Sequence, residues 1–296
     1  MHVGILMRIC LYWNPTAGDE MPLETVTTQI RDAGHDVTRV LGKDDDPASA
    51  IESRVDALVA AGGDGTVARA ARSLVGSEMP LAILPLGTAN NIATSLGIND
   101  DPAAAIAAWS KQQVTRMDIG VVTDEHGEHL FVEGVGTGLL PKGIAHGRNH
   151  PAKHRVADVA EEMHWARGMF LDALDRLQPQ HSRISIDGEA IEGEYLLVEV
   201  LNIASVGPRL RLSAETAPAD GMLSLVIAVA DDRDAIRAHL RRSWEDDGSH
   251  AWLKSWRGTR IEVAGWREYH VDDEVRTSQR GALTLGIRPS ALAVLA

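Results

Sequence analysis

Three short stretches hold residues suited to gripping a chain of phosphates: Asn14-Pro15-Thr16-Ala17-Gly18, Gly62-Gly63-Asp64-Gly65-Thr66 and Gly87-Thr88-Ala89-Asn90-Asn91. Each follows an apolar run, at 8–13, 56–61 and 81–86 respectively. Glycine tolerates positive φ and lets another molecule approach the backbone closely. The first turn of a following helix leaves N–H groups without acceptors, which suits an anion. Thr88 and Asn90 add side-chain hydrogen bonds. Asp64 suits a phosphate only with a metal ion or a hydroxyl between the two negative groups. The second stretch is not a P-loop, because the Lys-Ser/Thr ending is missing. Taken singly, each stretch reads as an ordinary turn. Three of them at the ends of successive parallel strands would open on one edge of one sheet, and that convergence points to a nucleotide.

A second chemistry lies in HVDDEV (270–275), where Asp272 and Glu274 stand two residues apart. On a strand they would share a face. Converging carboxylates can raise one partner's pKa or bind a metal; the plainer alternative is a solvated acidic turn. Other candidates weigh less. His146, His150 and His154 recur every four residues, but Gly147 and Pro151 interrupt any helix that would align them for a metal. Trp165, Met169, Trp252 and Trp256 either border an acyl-chain groove or fill core, and core is the expectation. The basic stretch 141–155 either meets anionic headgroups or is a solvated loop.

These residues need a scaffold. The first 118 residues alternate strand-like and helix-like patterns: strands at 8–13, 36–41, 56–61 and 81–86, helices at 22–34, 46–55, 66–75 and 89–97. Such alternation predicts an α/β domain with a parallel sheet and ligands beyond the strands' C-terminal ends. From 119 to 287 hairpin signals dominate, with turns at Gly127 and Asp187-Gly188 and helices near 153–177 and 232–244. This predicts a mostly antiparallel, β-rich second domain. The terminal apolar segment, about 288–296, has the pattern to pair back onto either domain.

The 296 residues carry a formal charge of −13, which argues against nucleic acid as a main partner. The single cysteine, Cys10, excludes an internal disulfide and fits a reducing compartment. No signal peptide and no apolar run of membrane-spanning length is visible. A cytoplasmic protein is expected, with peripheral contact at the inner membrane face and a homodimer both allowed. Met7 serves as well as Met1 for a start.

The order NPTAG, GGDGT, LPLGTANNIATSLG (84–97), RMDIG (116–120), APADGML (217–223) and HVDDEV resembles the diacylglycerol kinase catalytic domain family, which includes bacterial lipid kinases and sphingosine kinases. GGDGT is shared with NAD kinases and phosphofructokinases; the LPLGT continuation is specific to the lipid kinases. The resemblance implies an ATP- and Mg²⁺-dependent lipid kinase, moving the γ-phosphoryl group to a lipid hydroxyl in an interdomain cleft and meeting that lipid at a membrane surface. It implies that Gly62 to Thr66 hold the phosphates, with Gly87, Thr88, Asn90 and residues Asn14 to Gly18 around the nucleotide. It further implies a Mg²⁺ site at Asp220 and the Met222 carbonyl, with Asp118 a retained acid, and Glu274 as proton acceptor with Asp272 beside it. Asp273 stands where the family has glycine, Asn91 where aspartate is common and Thr94 where arginine is frequent. These departures are expected to tune the site. The rival readings are a NAD kinase-like enzyme of soluble substrates and a lipid-binding relative with impaired turnover.

Overall fold

The computed structural model describes residues 6–16, 21–111, 113–150, 158–242 and 253–296. They form two units, Met1–Met117 with Ser290–Ala296, and Asp118–Pro289. Ala17, Gly18, His154 and Trp252 lie outside the described residues.

The first unit contains β1 (Arg8–Trp13), α1 (Leu23–Asp32), β2 (Asp36–Gly42), β3 (Ala57–Gly62), α2 (Asp64–Leu74), β4 (Leu81–Pro85), α3 (Asn91–Ser95), α4 (Pro102–Trp109) and the start of β5 (Val114–Asp124). The strands run in the order β2-β1-β3-β4, all parallel, and Val294 of the final strand runs parallel beside Leu81. Residues 57–62 and 81–85 are buried without alternation, as a parallel sheet covered on both faces requires. Alanines on the buried face of α2 (Ala68, Ala70, Ala71) let that helix lie close to the sheet. The helix expected over 46–55 shrinks to one 3₁₀ turn, Pro47–Ala50. There Ser49 Oγ donates to Asp46 O, Ser53 Oγ to Ser49 O, and the Arg39 guanidinium to Ser49 O and Ser53 Oγ. Such side-chain bonds compete with a helical ladder.

The second unit continues β5 and adds β6 (Gly127–Phe131), β7 (Gly134–Gly138), α5 (Leu139–Asn149), α6 (Val159–Arg176), β8 (Gln180–Ile186), β9 (Glu189–Tyr195), β10 (Leu197–Leu201), β11 (Ser205–Val206), β12 (Leu210–Arg211), β13 (Leu223–Ala228), α7 (Arg233–Arg241), β14 (Lys254–Gly258), β15 (Arg260–Ala264), β16 (Glu268–Val271), β17 (Glu274–Thr277) and β18 (Ala282–Leu295). Strands β9-β8-β15-β18, with the β5–β6 hairpin beside β18, form one sheet; β14-β13-β10-β7-β16-β17 form another. The hairpins turn at Gly127 and at Asp187-Gly188, both of whose φ angles are positive (46° and 93°). Phe131, Ile184, Ile261 and Leu285 of the first sheet share one buried cluster with Val135, Val198, Leu225 and Tyr269 of the second, so the sheets pack face to face. A second cluster joins Leu197 and Val226 to Leu140, Phe170, Leu174 and Leu240, placing α5, α6 and α7 on the other face. Buried Arg167 of α6 donates to the carbonyls of Pro208, Arg209, His239 and Arg242, tying α6 to the end of α7. No helix among the described residues is long and apolar enough to cross a membrane.

Candidate functional site

In the first unit the three turns follow β1, β3 and β4, which are neighbours in the sheet. Parallel neighbours end on the same side, so the turns share a rim, and side chains stitch them together. Asn14 Nδ2 donates to Thr66 Oγ1 (3.1 Å), while Asn14 Oδ1 accepts from the Thr16 N–H. Asp64 accepts from the Asn91 and Ile92 N–H groups (3.0 and 2.9 Å). Its carboxylate thus caps α3 and binds the second turn to the third. Asn90, at φ 49°, closes the third turn on itself, with Oδ1 accepting from the Gly87 N–H and Nδ2 donating to Gly87 O. Neither Gly63 nor Gly87 has positive φ. They are glycines because of space: a Cβ on Gly87 would lie 2.3 Å from Gly63 Cα. Gly65 is exposed at the start of α2, whose first-turn N–H groups lack intrahelical acceptors. Two departures settle locally: Asn91 is buried at the start of α3, and Thr94 Oγ1 donates to Asn90 O.

In the second unit Asp272 and Glu274 do not share a face. Val271 pairs with Glu274, so Asp272 and Asp273 form the turn between β16 and β17, and strand alternation does not reach Asp272. Asp272 takes φ 51°, a conformation aspartate tolerates better than most residues. Asp273 has no positive φ, so the aspartate in place of glycine carries no backbone strain. The Asp272 carboxylate turns inward and accepts the Val132 and Glu133 N–H groups (2.9 and 2.8 Å). Glu274 is half-exposed and accepts from Arg276 Nη2 at 2.9 Å. Arg148 of α5 grips Asp273 at its carbonyl (2.6 Å) and carboxylate (3.2 Å). Asp272→Ala is expected to destabilise the protein by about 1–3 kcal/mol for each N–H left without an acceptor, read from urea unfolding.

Asp118, Asp220 and Met222 do come together. Asp118 Oδ2 accepts from the Gly221 N–H, and Asp220 Oδ1 from the Met222 N–H. Asp220 Oδ2 accepts from the Ala217 N–H and from the Arg257 guanidinium. That guanidinium sets one positive charge beside the Asp220 carboxylate. Among the described residues no cluster of three or more His, Cys, Asp or Glu is placed to hold a metal. The oxygens gathered on this loop are the two carboxylates of Asp118 and Asp220.

Residues 151–155 of the basic stretch lie outside the described residues; within 141–150, Lys142 pairs with Glu268 (2.9 Å), Arg148 with Asp273, and His146 lies 3.7 Å from Asp172. Met169 is buried and Trp256 packs against the sandwich core, as ordinary core residues do. Trp165 is half-buried, its ring 6.0 Å from that of His150. Sequence reasoning missed Glu199 and His270, a buried pair beside the Asp272 turn. The signal was present in VEGVGTG: glycines at 134, 136 and 138 line one face of a strand, which marks a close approach by a neighbour.

An α/β unit with glycine turns gathered at its strand ends, followed by a β-sandwich unit, is the architecture of the kinases that act on diacylglycerol and NAD. Residues 8–122 match the diacylglycerol kinase catalytic domain, and residues 147–296 match the YegS C-terminal NAD kinase beta sandwich-like domain. "Probable lipid kinase YegS-like" of Klebsiella pneumoniae (strain 342) is 31% identical over 229 residues, 75% of this chain and 74% of that protein. "Diacylglycerol kinase" of Mycobacterium tuberculosis (strain ATCC 25618 / H37Rv) is 28% identical over 243 residues, covering 76% and 74%. The chain belongs to this family of diacylglycerol kinase-like, YegS-like lipid kinases. Its fold is also that of a diacylglycerol kinase from Bacillus anthracis str. Sterne (TM-score 0.70, 20% identity, 97% and 96% covered). An NAD kinase from Archaeoglobus fulgidus in complex with ATP has a similar fold (TM-score 0.52, 13% identity, 98% and 94% covered).

Proposed function

We propose that this chain transfers the γ-phosphoryl group of ATP, taken as its Mg²⁺ complex, to the hydroxyl of a neutral lipid of the diacylglycerol type. The observation that carries the reading is the joining of three strand-end turns through Asn14–Thr66, Gly63–Gly87 and Asp64–Asn91. A triphosphate needs backbone N–H groups and close approach, and Gly62 to Thr66, Gly87, Thr88 and Asn90 offer both beside the start of α2. Catalysis of this kind is mostly positioning and charge neutralisation. Glu274 accepts the lipid's hydroxyl proton as that oxygen bonds to the γ-phosphorus, and the β–γ bridging oxygen leaves with ADP. Asp272 acts through its turn and does not touch substrate. The similar proteins of M. tuberculosis and Bacillus subtilis named "Diacylglycerol kinase" favour that acceptor. A lipid of this kind is met at a membrane surface.

The test is a transfer assay with γ-labelled ATP and Mg²⁺ against dioleoylglycerol, sphingosine and phosphatidylglycerol in mixed micelles, and against NAD. Label is expected in phosphatidic acid. Label in NAD alone, or in none of the four despite tight ATP binding, would overturn the reading.

A further inference from the structure

The central strand β10 carries one acid, Glu199, in an otherwise apolar run, and that residue is fully buried. Its register partner on β7 is Gly136, which also pairs with His270 of β16 on the other side. A Cβ on Gly136 would lie 1.9 Å from Glu199 Oε2, and one on Gly134 2.7 Å from Oε1. The two glycines leave a trench in the sheet surface, across which the carboxylate reaches the imidazole. His270 Nε2 sits 3.0 Å from each carboxylate oxygen, and Nδ1 sits 2.7 Å from the Asp272 carbonyl.

A carbonyl only accepts, so Nδ1 must carry a hydrogen. The contact between Nε2 and the carboxylate then needs one further proton, on either partner. Burial works against a charge on His270, but the Glu199 charge and hydrogen bond, with the Asp272 carbonyl, outweigh it and raise the ring's proton affinity. Burial raises that of Glu199 as well. The two contacts together therefore call for one proton shared between Nε2 and the carboxylate and direct Nδ1–H at the Asp272 carbonyl.

A buried ionisable pair is a poor device for stability, since apolar side chains of similar volume often do as well or better. What this pair supplies is orientation. Asp272 stands in the left-handed region, its N–H bonded to Gly134 O and its carboxylate to Val132 and Glu133. The peptide between Asp272 and Asp273 is held on its carbonyl side by His270, and the next carbonyl by Arg148. Rotation of that peptide would re-aim the start of β17, where Glu274 stands.

We propose that Glu199 and His270 are positioning residues for phosphoryl transfer, holding the Asp272-Asp273 turn so that Glu274 meets the acceptor hydroxyl. This rests on Glu274 being the proton acceptor. In Glu199→Gln the amide can donate to Nε2 while Nδ1–H stays on Asp272 O, so this variant is the conservative rescue. The double variant Glu199→Leu with His270→Leu removes the anchor without leaving a buried charge unpaired.

The experiment compares wild type and both variants with ATP and dioleoylglycerol in mixed micelles, alongside thermal melting. The double variant is expected to fold and keep its KM for ATP while kcat falls at least about tenfold, and Glu199→Gln to keep kcat within about threefold. A double variant with wild-type kcat overturns the proposal, as does a Glu199→Gln enzyme as slow as the double variant. ¹⁵N spectra of the wild-type imidazole decide the matter even if the double variant does not fold: a protonated His270 Nδ1 is expected, and a bare one overturns the anchor. Failure of the Glu274 assignment shows separately, as full turnover in Glu274→Gln.

Discussion

Glu274→Gln is expected to bind ATP as the wild type does and to transfer phosphate about 10²–10⁴-fold more slowly. The side chain starts the edge strand β17, half-exposed, with the half-buried Arg276 as its salt-bridge partner. Glutamine has the same length and still offers an oxygen to that guanidinium, so the geometry survives. What it loses is the capacity to accept a proton as the hydroxyl oxygen attacks. The change should cost no more than about 0.5 kcal/mol of stability, as for most surface substitutions. Isothermal calorimetry with ATP and turnover with dioleoylglycerol separate the two effects. Unaltered turnover would remove Glu274 from the chemistry. The comparison with Asp272→Ala is informative, because that side chain holds backbone N–H groups and its loss should appear in unfolding.

The fold class was legible because its signals are local. Unalternated apolar runs ending at glycine turns gave the parallel strands of the first unit, and Asp187-Gly188 gave a hairpin of the second. The expected helix at 46–55 failed through serine and arginine bonds to nearby carbonyls, which a pattern of apolar spacing does not register. At the candidate site the residue types were readable and their partners were not. Asp64 reads as a group facing phosphate, yet its carboxylate caps a helix that begins 27 residues later in the chain. Asp272 and Glu274 look like same-face neighbours only while the strand is assumed to run through both; the turn between β16 and β17 ends that assumption. Glu199 and His270, 71 residues apart, meet only through the register of three strands, and no short window of sequence contains it.

Gly87→Ala should be the most damaging single methyl group in the first unit. An alanine Cβ there would lie 2.3 Å from Gly63 Cα, 3.1 Å from Gly63 N and 2.9 Å from Asn90 Oδ1. Two of those three atoms are backbone and cannot rotate away. Strand pairing resists sliding as well: Gly62 pairs with Pro85, and the Leu86 N–H donates to Gly62 O. The second and third turns must therefore part at the rim, at a cost of about 1–3 kcal/mol, as for other overpacked sites. If the phosphates lie where these turns converge, a displacement of about 1 Å is enough to lower kcat/KM for ATP about 10²-fold. Gly63→Ala tests the same contact more gently, since its Cβ would stand 3.1 Å from Gly87 Cα. The expected order of ATP affinity is wild type, then Gly63→Ala, then Gly87→Ala, measured by calorimetry. A Gly87→Ala protein that folds and binds ATP like the wild type would mean that the phosphates rest elsewhere, because no arrangement that uses this convergence can admit the methyl group without yielding.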